Sequence, residues 1–214
     1  MQAIGHEFCH ILFKLGAFKF SPRSPFTYAS GLKGPIYCNN RIIISHVPER
    51  KQVISLLQKK FEQLASQFDF DAIAALATAA IPHGSWLADR VDLPLLYVRS
   101  KPKGHGEGNQ IEGDWHQGQH VLILEDLVNQ GVSLISAHQV IKTAGLHSQQ
   151  VLCLVDYQMA AAQENMQRQQ LSLTSLTNFS QLLEYAIEKK FLSAGESDLV
   201  RDWHQSPSEW KEGK

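Results

Sequence analysis

Four apolar residues in a row, Val121-Leu122-Ile123-Leu124, run into two adjacent carboxylates, Glu125 and Asp126. An unbroken apolar run of that length reads as a strand buried on both faces, the kind found inside a parallel sheet. The acids then fall where the strand should leave the core. A short polar turn with Gly131 follows, and Leu134, Ile135, Val140 and Ile141 recur at a spacing that predicts a helix. The same alternation holds over much of the chain. Strands are predicted over residues 72–77, 95–99, 121–124, 151–155 and 171–176, and helices over 82–90, 160–169 and 179–189. Upstream, Ile4, Phe8, Ile11, Leu12 and Leu15 predict an opening amphipathic helix, and Val53, Leu56, Leu57, Phe61 and Leu64 another over 47–68. Between those two helices, Pro22, Pro25, Gly31, Gly34 and Pro35 break the chain into short extended pieces. Residues 196–210 read as a short helix laid on the surface.

Strand and helix taking turns at this spacing predict an α/β fold: an open, mostly parallel sheet with helices on both faces and a small N-terminal hood. The expected layout is one domain over 1–214. It divides into a helix and hood segment (1–45), an α/β core (46–193) and a surface tail (194–214). The chain's 214 residues are enough for one such core.

Composition removes several function classes. Lys and Arg number 20 against 21 Asp and Glu, so no global field argues for nucleic acid or an anionic membrane as partner. The apolar stretch over 72–81 is too short and too rich in alanine to span a bilayer. No basic segment followed by a long apolar block opens the chain, so no leader peptide is expected. Three scattered cysteines, Cys9, Cys38 and Cys153, read as reduced thiols and point to the cytoplasm.

The candidate chemistry sits in two places. Strand, acid pair, tight loop and helix form an arrangement suited to a sugar phosphate. The carboxylates accept hydrogen bonds from ribose hydroxyls or hold Mg²⁺ through water, and the helix N-terminus offers free N–H groups to a phosphate. A solvated strand end with a helix cap would show the same residues. The second place is the segment between residues 99 and 118. Arg99, Lys101, Lys103 and His105 are followed by Gly106, Gly108 and Gly113, with Gly104 among them. Structureless loops this long are uncommon in compact domains unless they act as lids or binding loops. A cationic, glycine-rich lid closing over a diphosphate fits both features, although a solvated surface loop can carry the same charges.

Three segments together resemble the orotate phosphoribosyltransferases, in the form common in Gram-positive bacteria. Residues 26–41 (FTYASGLKGPIYCNNR) look like that family's N-terminal substrate segment. Residues 97–113 are similar to its mobile catalytic loop, and residues 125–133 occupy the place of the phosphoribosyl-diphosphate signature of type I phosphoribosyltransferases. The resemblance implies the type I phosphoribosyltransferase fold and a homodimeric Mg²⁺ enzyme joining orotate to 5-phosphoribosyl 1-diphosphate in pyrimidine synthesis. It implies catalytic roles for Arg99, Lys103, His105 and Asp126, with the lid cations, Lys101 among them, reaching the diphosphate of the neighbouring subunit. The substrate would be held by Glu125, Asp126, Leu127, Val128, Asn129, Gln130, Gly131, Val132 and Ser133, with Lys33 and Tyr37 at the orotate pocket. Asn129 falls where the family has an orotate-contacting hydroxyl. Asp126 would meet the metal, through water or directly.

The chain departs from the family pattern at several of these places. Asn129, Gln130 and Val132 stand in the phosphate loop where hydroxyls and a glycine are usual, and Val132 would be strained if its φ had to be positive. Ala75 and Ala80 replace glycines around the diphosphate loop. Gly34 and Asn39 replace a Ser and an Asp. Taken together, these differences also admit a degenerate paralogue that binds a nucleotide or phosphate without catalysis.

Overall fold

The computed structural model describes residues 2–28, 33–102 and 109–210. In chain order the elements are α1 (Gln2–Lys14), β1 (Phe18–Phe20), β2 (Phe26–Thr27), β3 (Lys33–Gly34), β4 (Ile36–Cys38), a 3₁₀ helix (Asn40–Ser45), α2 (Val47–Ala65), β5 (Ala72–Leu76), α3 (Ala80–Val91), β6 (Leu95–Val98), β7 (Ile111–Glu112), β8 (Val121–Val128), α4 (Val132–Thr143), β9 (Gln150–Asp156), α5 (Ala160–Arg168), β10 (Ser172–Asn178), α6 (Phe179–Glu188) and α7 (Ala194–Gln205).

Six strands form the central sheet in the order β10-β9-β8-β5-β6-β7. All neighbours run parallel except β7, which is antiparallel to β6. From β5 the chain crosses through α3 to β6 on one side, and from β8 it crosses through α4 to β9 on the other. Right-handed crossovers in opposite directions place α3 and α4 on opposite faces. The order therefore reverses between β5 and β8, and a crevice opens above their carboxyl ends, where open α/β sheets bind ligands. The acid pair lies on β8, beside that crevice.

The sheet is dry. Val121, Leu122, Ile123 and Leu124 are buried, as are all residues of β5. Full burial of one such aliphatic side chain contributes roughly 1.5–3 kcal/mol. The hood consists of two small antiparallel ribbons, β1 with β4 and β2 with β3. The three cysteines are free thiols, Cys9 and Cys153 buried and Cys38 half-buried.

Two sequence expectations need correction here. The polar stretch between β6 and β8 is not wholly a loop, because Ile111 and Glu112 return beside Val98 and Tyr97 as an edge strand. Two residues are too few for any periodicity to register. The C-terminal segment is not merely laid on the surface either. Val200 and Trp203 of α7 are buried, and the helix walls part of the site described below.

Candidate functional site

β8 continues past the acids. Glu125 pairs with Cys153, Leu127 with Val155 and Val128 with Asp156. The carboxylates therefore belong to the strand, near its carboxyl end. Glu125 is buried, and its Oε1 accepts the Asp126 backbone N–H at 2.8 Å. Burial, and secondarily the neighbouring Asp126 carboxyl, push the Glu125 carboxyl up to about 9. Burial thus favours the protonated form of Glu125, and Asp126 is the more exposed of the two.

The hood is moored to this pair. Asn40, almost fully buried, donates from Nδ2 to the Asp126 carbonyl at 2.7 Å and accepts from the Cys38 thiol at 3.3 Å. At the start of α3 lies His83, with no exposed surface and no hydrogen-bond partner on either ring nitrogen among the described residues. Burial depresses its pKa to about 4, and the Asp126 charge opposes that shift only in part. The acid pair is thus flanked by a neutral imidazole.

After β8 the chain turns through Asn129, Gln130 and Gly131 into α4. Gly131 is the N-cap residue, with φ 75° and no side chain capping the helix. The backbone N–H groups of the first turn are consequently free to meet an anion. They face a cradle lined by Glu125, Asn129, Gln130, Gly131, Val132 and Ser133, with Leu127 and Val128 in its floor. A second recess shares Asn129 and Gln130 with the cradle and is walled by Tyr28, Lys33, Met159, Trp203 and His204. The cradle and a partly aromatic recess thus meet at Asn129 and Gln130.

The other expected residues are placed less directly. Tyr37 on β4 packs its ring on Phe26 at 5.3 Å and does not line the recess. Arg99, just beyond β6, pairs with Glu112 of β7 at 3.3 Å. Lys101 is exposed, and neither cation lines the cradle or the recess. Lys103 and His105 lie outside the described residues.

Sequence reasoning missed Asn40, His83, Trp203 and His204. Nothing in the sequence marks the first two, since an asparagine in a hood and a histidine on a helix look alike whether buried or solvated. For α7 a signal was present. Ser193 and Glu196 form a capping box, and Val200 and Trp203 follow at helical spacing. His204 donates from Nε2 to the Tyr157 carbonyl at 2.7 Å and stacks on Phe179 with centroids 3.8 Å apart. Both contacts fix α7 against the site.

Residues 43–181 match the phosphoribosyl transferase domain family. A Coxiella burnetii orotate phosphoribosyltransferase is 36% identical over 205 residues, covering 96% of this chain and 97% of that protein. One from Bacillus anthracis is 37% identical over 204 residues, covering 95% and 96%. The chain belongs to the orotate phosphoribosyltransferase family. The crystal structure of the Aeropyrum pernix orotate phosphoribosyltransferase superposes with a TM-score of 0.69 at 26% identity, covering 83% of this chain and 97% of that one.

Three of the departures from the family pattern, Val132, Ala75 and Gly34, have structural accounts. Positive φ falls on Gly131 and not on Val132, which is the first residue of α4, so the expected strain at Val132 is absent. Ala75 is fully buried on β5, and a Cβ on Gly84 of α3 would lie 2.7 Å from the Ala75 methyl. The extra methyl therefore points into the α3 interface, where a glycine receives it, and not toward a diphosphate. Ala80 is likewise buried, at the first position of α3. The Ala77–Thr78 peptide just before it is cis. At Gly34 a Cβ would meet the Tyr28 ring at 2.7 Å and Trp203 Nε1 at 2.8 Å. The family's usual serine does not fit beside this indole.

Gly34→Ser should therefore lower stability by about 1–3 kcal/mol, the usual cost of overpacking. Combining it with Trp203→Ala should recover part of that loss. Thermal melts of the two single variants and the double variant test the coupling, and strict additivity would mean the two residues do not compete for space.

Proposed function

We propose that the protein transfers the 5-phosphoribosyl group from 5-phosphoribosyl 1-diphosphate to orotate, releasing diphosphate and forming orotidine 5′-monophosphate. The observation that carries this reading is the cradle at the α4 N-terminus, lined in part by Glu125, which shares Asn129 and Gln130 with a partly aromatic recess. In this reading the free N–H groups from Asn129 to Ser133 hold the 5′-phosphate. Glu125, protonated, donates to one ribose hydroxyl and Asp126 accepts from the other. Tyr28, Lys33, Met159 and Trp203 form the slot for the base, with Asn129 at its edge.

The reaction breaks the bond from C1′ to the diphosphate oxygen and forms a bond from C1′ to a ring nitrogen of orotate. Positive charge grows on the ribose while negative charge grows on the departing diphosphate. The Asp126 carboxylate stabilises the first, and the lid cations Arg99, Lys101, Lys103 and His105 stabilise the second. Orotate is already an anion, so placement supplies much of the remaining acceleration. The lid excludes water from an electrophilic sugar.

The described residues hold no cluster of three or more His, Cys, Asp or Glu suited to a metal ion. Asp126, next in the chain to the Glu125 that lines the phosphate cradle, instead fits a hard cation held by one carboxylate and by substrate oxygens, the usual manner of Mg²⁺. When bound, Mg²⁺ would supply Lewis-acid stabilisation of the diphosphate. We further propose a homodimer in which each lid serves the neighbouring site, since neither Arg99 nor Lys101 lines its own cradle or recess. A cytoplasmic location goes with the free thiols. No helix among the described residues is long and apolar enough to cross a membrane. A degenerate, non-catalytic role has no observation in its favour once Val132 and Ala75 are accounted for.

The test is loss of orotate absorbance on adding 5-phosphoribosyl 1-diphosphate, with and without Mg²⁺. Metal-dependent loss at an ordinary enzymatic rate is expected. Absence of loss from folded protein that still binds phosphate would overturn catalysis and restore the binding role.

A further inference from the structure

A second recess opens at the opposite edge of the sheet, where β5, β8 and β9 begin and α4 ends. It encloses about 780 Å³ of empty space, part of it open to solvent. Three polar side chains in its wall, His138, Ser148 and Gln150, are more than nine-tenths buried. His138 on α4 shares a hydrogen bond from Nδ1 with the buried Ser148 hydroxyl at 2.9 Å. Gln150, the first residue of β9, has a side-chain amide with no hydrogen-bond partner among the described residues. Neither the Gln150 amide nor His138 Nε2 is among the polar atoms sealed from solvent without a partner, so both open into the recess they line. A ligand that fills the recess must pair with these atoms or leave them desolvated.

The remaining wall defines what could pair with them. Lys142 follows His138 by one turn on the same face of α4 and also lines the recess. Its charge contributes to a lowered His138 pKa, second to burial. The imidazole is thus a neutral hydrogen-bonding group, and Lys142 is the cation of the wall. The rings of His120 and His147 lie 4.8 Å apart on the neighbouring strand starts, and Phe68 and Phe70 add apolar surface. Asp69 stands on the Phe68–Phe70 side, which keeps an anionic group on the side of Lys142. The Asp71 carboxylate is engaged by the His120 backbone N–H at 2.7 Å.

We propose that this recess is a second ligand site, separate from the catalytic crevice, for a flat heterocycle with a cis-amide edge and one negative charge. Gln150 offers a donor and an acceptor side by side, which matches the C=O and N–H of such an edge. Phe68, Phe70 and the imidazole pair provide ring contacts, and Lys142 receives the anionic substituent. The wall has too few cationic donors to suit a bare phosphate.

Orotate has this chemistry and serves as the probe, with uracil and inorganic phosphate as its separated halves. The readout is hydrogen–deuterium exchange on the full chain, which resolves residues 146–150 from residues 129–133. Orotate should slow exchange at 146–150, uracil should do so more weakly, and phosphate should have no effect there. Gln150→Leu, or the surface change Lys142→Met, should weaken that protection at least about tenfold, as expected for loss of a hydrogen bond of ~1.4 kcal/mol. Both variants should keep the protection at 129–133. Protection confined to 129–133, or protection at 146–150 that survives in both variants, would overturn the proposal. Protection at 146–150 without any at 129–133 would leave it standing and count instead against the base pocket proposed above.

Discussion

Asp126→Asn should lower turnover by about 10²- to 10³-fold, the loss typical when one group stabilising transition-state charge is removed. The substitution keeps the size of the side chain and removes only its charge. The anchoring contact from Asn40 goes to the Asp126 backbone carbonyl, so it survives the change. Steady-state rates from orotate absorbance should fall at saturating substrate, and the melting temperature should move little. Unchanged turnover would take Asp126 out of the reaction and leave the crevice without a charged group of its own among the described acids.

Glu125→Gln tests the other half of the pair through stability. In the unfolded chain this carboxyl ionises near 4.5, and in the folded chain burial holds its proton to about 9. Between those values unfolding releases a proton, so stability falls as pH rises. The decline is at most ~1.4 kcal/mol per pH unit. The stabilising contribution is fully present below the lower value and is lost as pH climbs toward the upper one. A glutamine cannot ionise, so the variant should lack this slope. The two proteins should have similar stability near pH 5, and at pH 8 the variant should be more stable by about 2–4 kcal/mol. Urea melts at the two pH values decide the matter. Parallel decline in both proteins would mean that Glu125 ionises near its ordinary value.

Periodicity revealed the architecture because burial imposes it. β5 and the first half of β8 are apolar on both faces, and the helices carry stripes at helical spacing, so the parallel sheet was readable before its order was known. The strand–turn–helix junction that carries the acid pair was readable for a related reason, since Gly131 and the adjacent carboxylates interrupt the apolar pattern there. What escaped the sequence was pairwise compensation. Ala75 looked obstructive taken alone, and only the fold shows that Gly84 on α3 receives its methyl. Gly34 stood where the family has a serine, and only the fold shows Tyr28 and, far along the chain, Trp203 in the space of that side chain. Val132 was misjudged by one residue, because the left-handed turn falls on Gly131. The acids were expected beyond a strand that in fact continues through them, its last residues Leu127 and Val128 being too few to register as strand by themselves. Contacts between distant segments leave no local periodicity to read.

The base recess draws one wall from α7 and another from the hood, while the phosphate cradle is built from β8 and α4 alone. In the reading proposed above, the two halves of the substrate thus meet largely separate stretches of the chain, which share Asn129 and Gln130. Substitutions in the last helix can reshape which base is accepted without touching the acids or the phosphate loop, so selection can explore new acceptors while the sugar-phosphate machinery stays as it is.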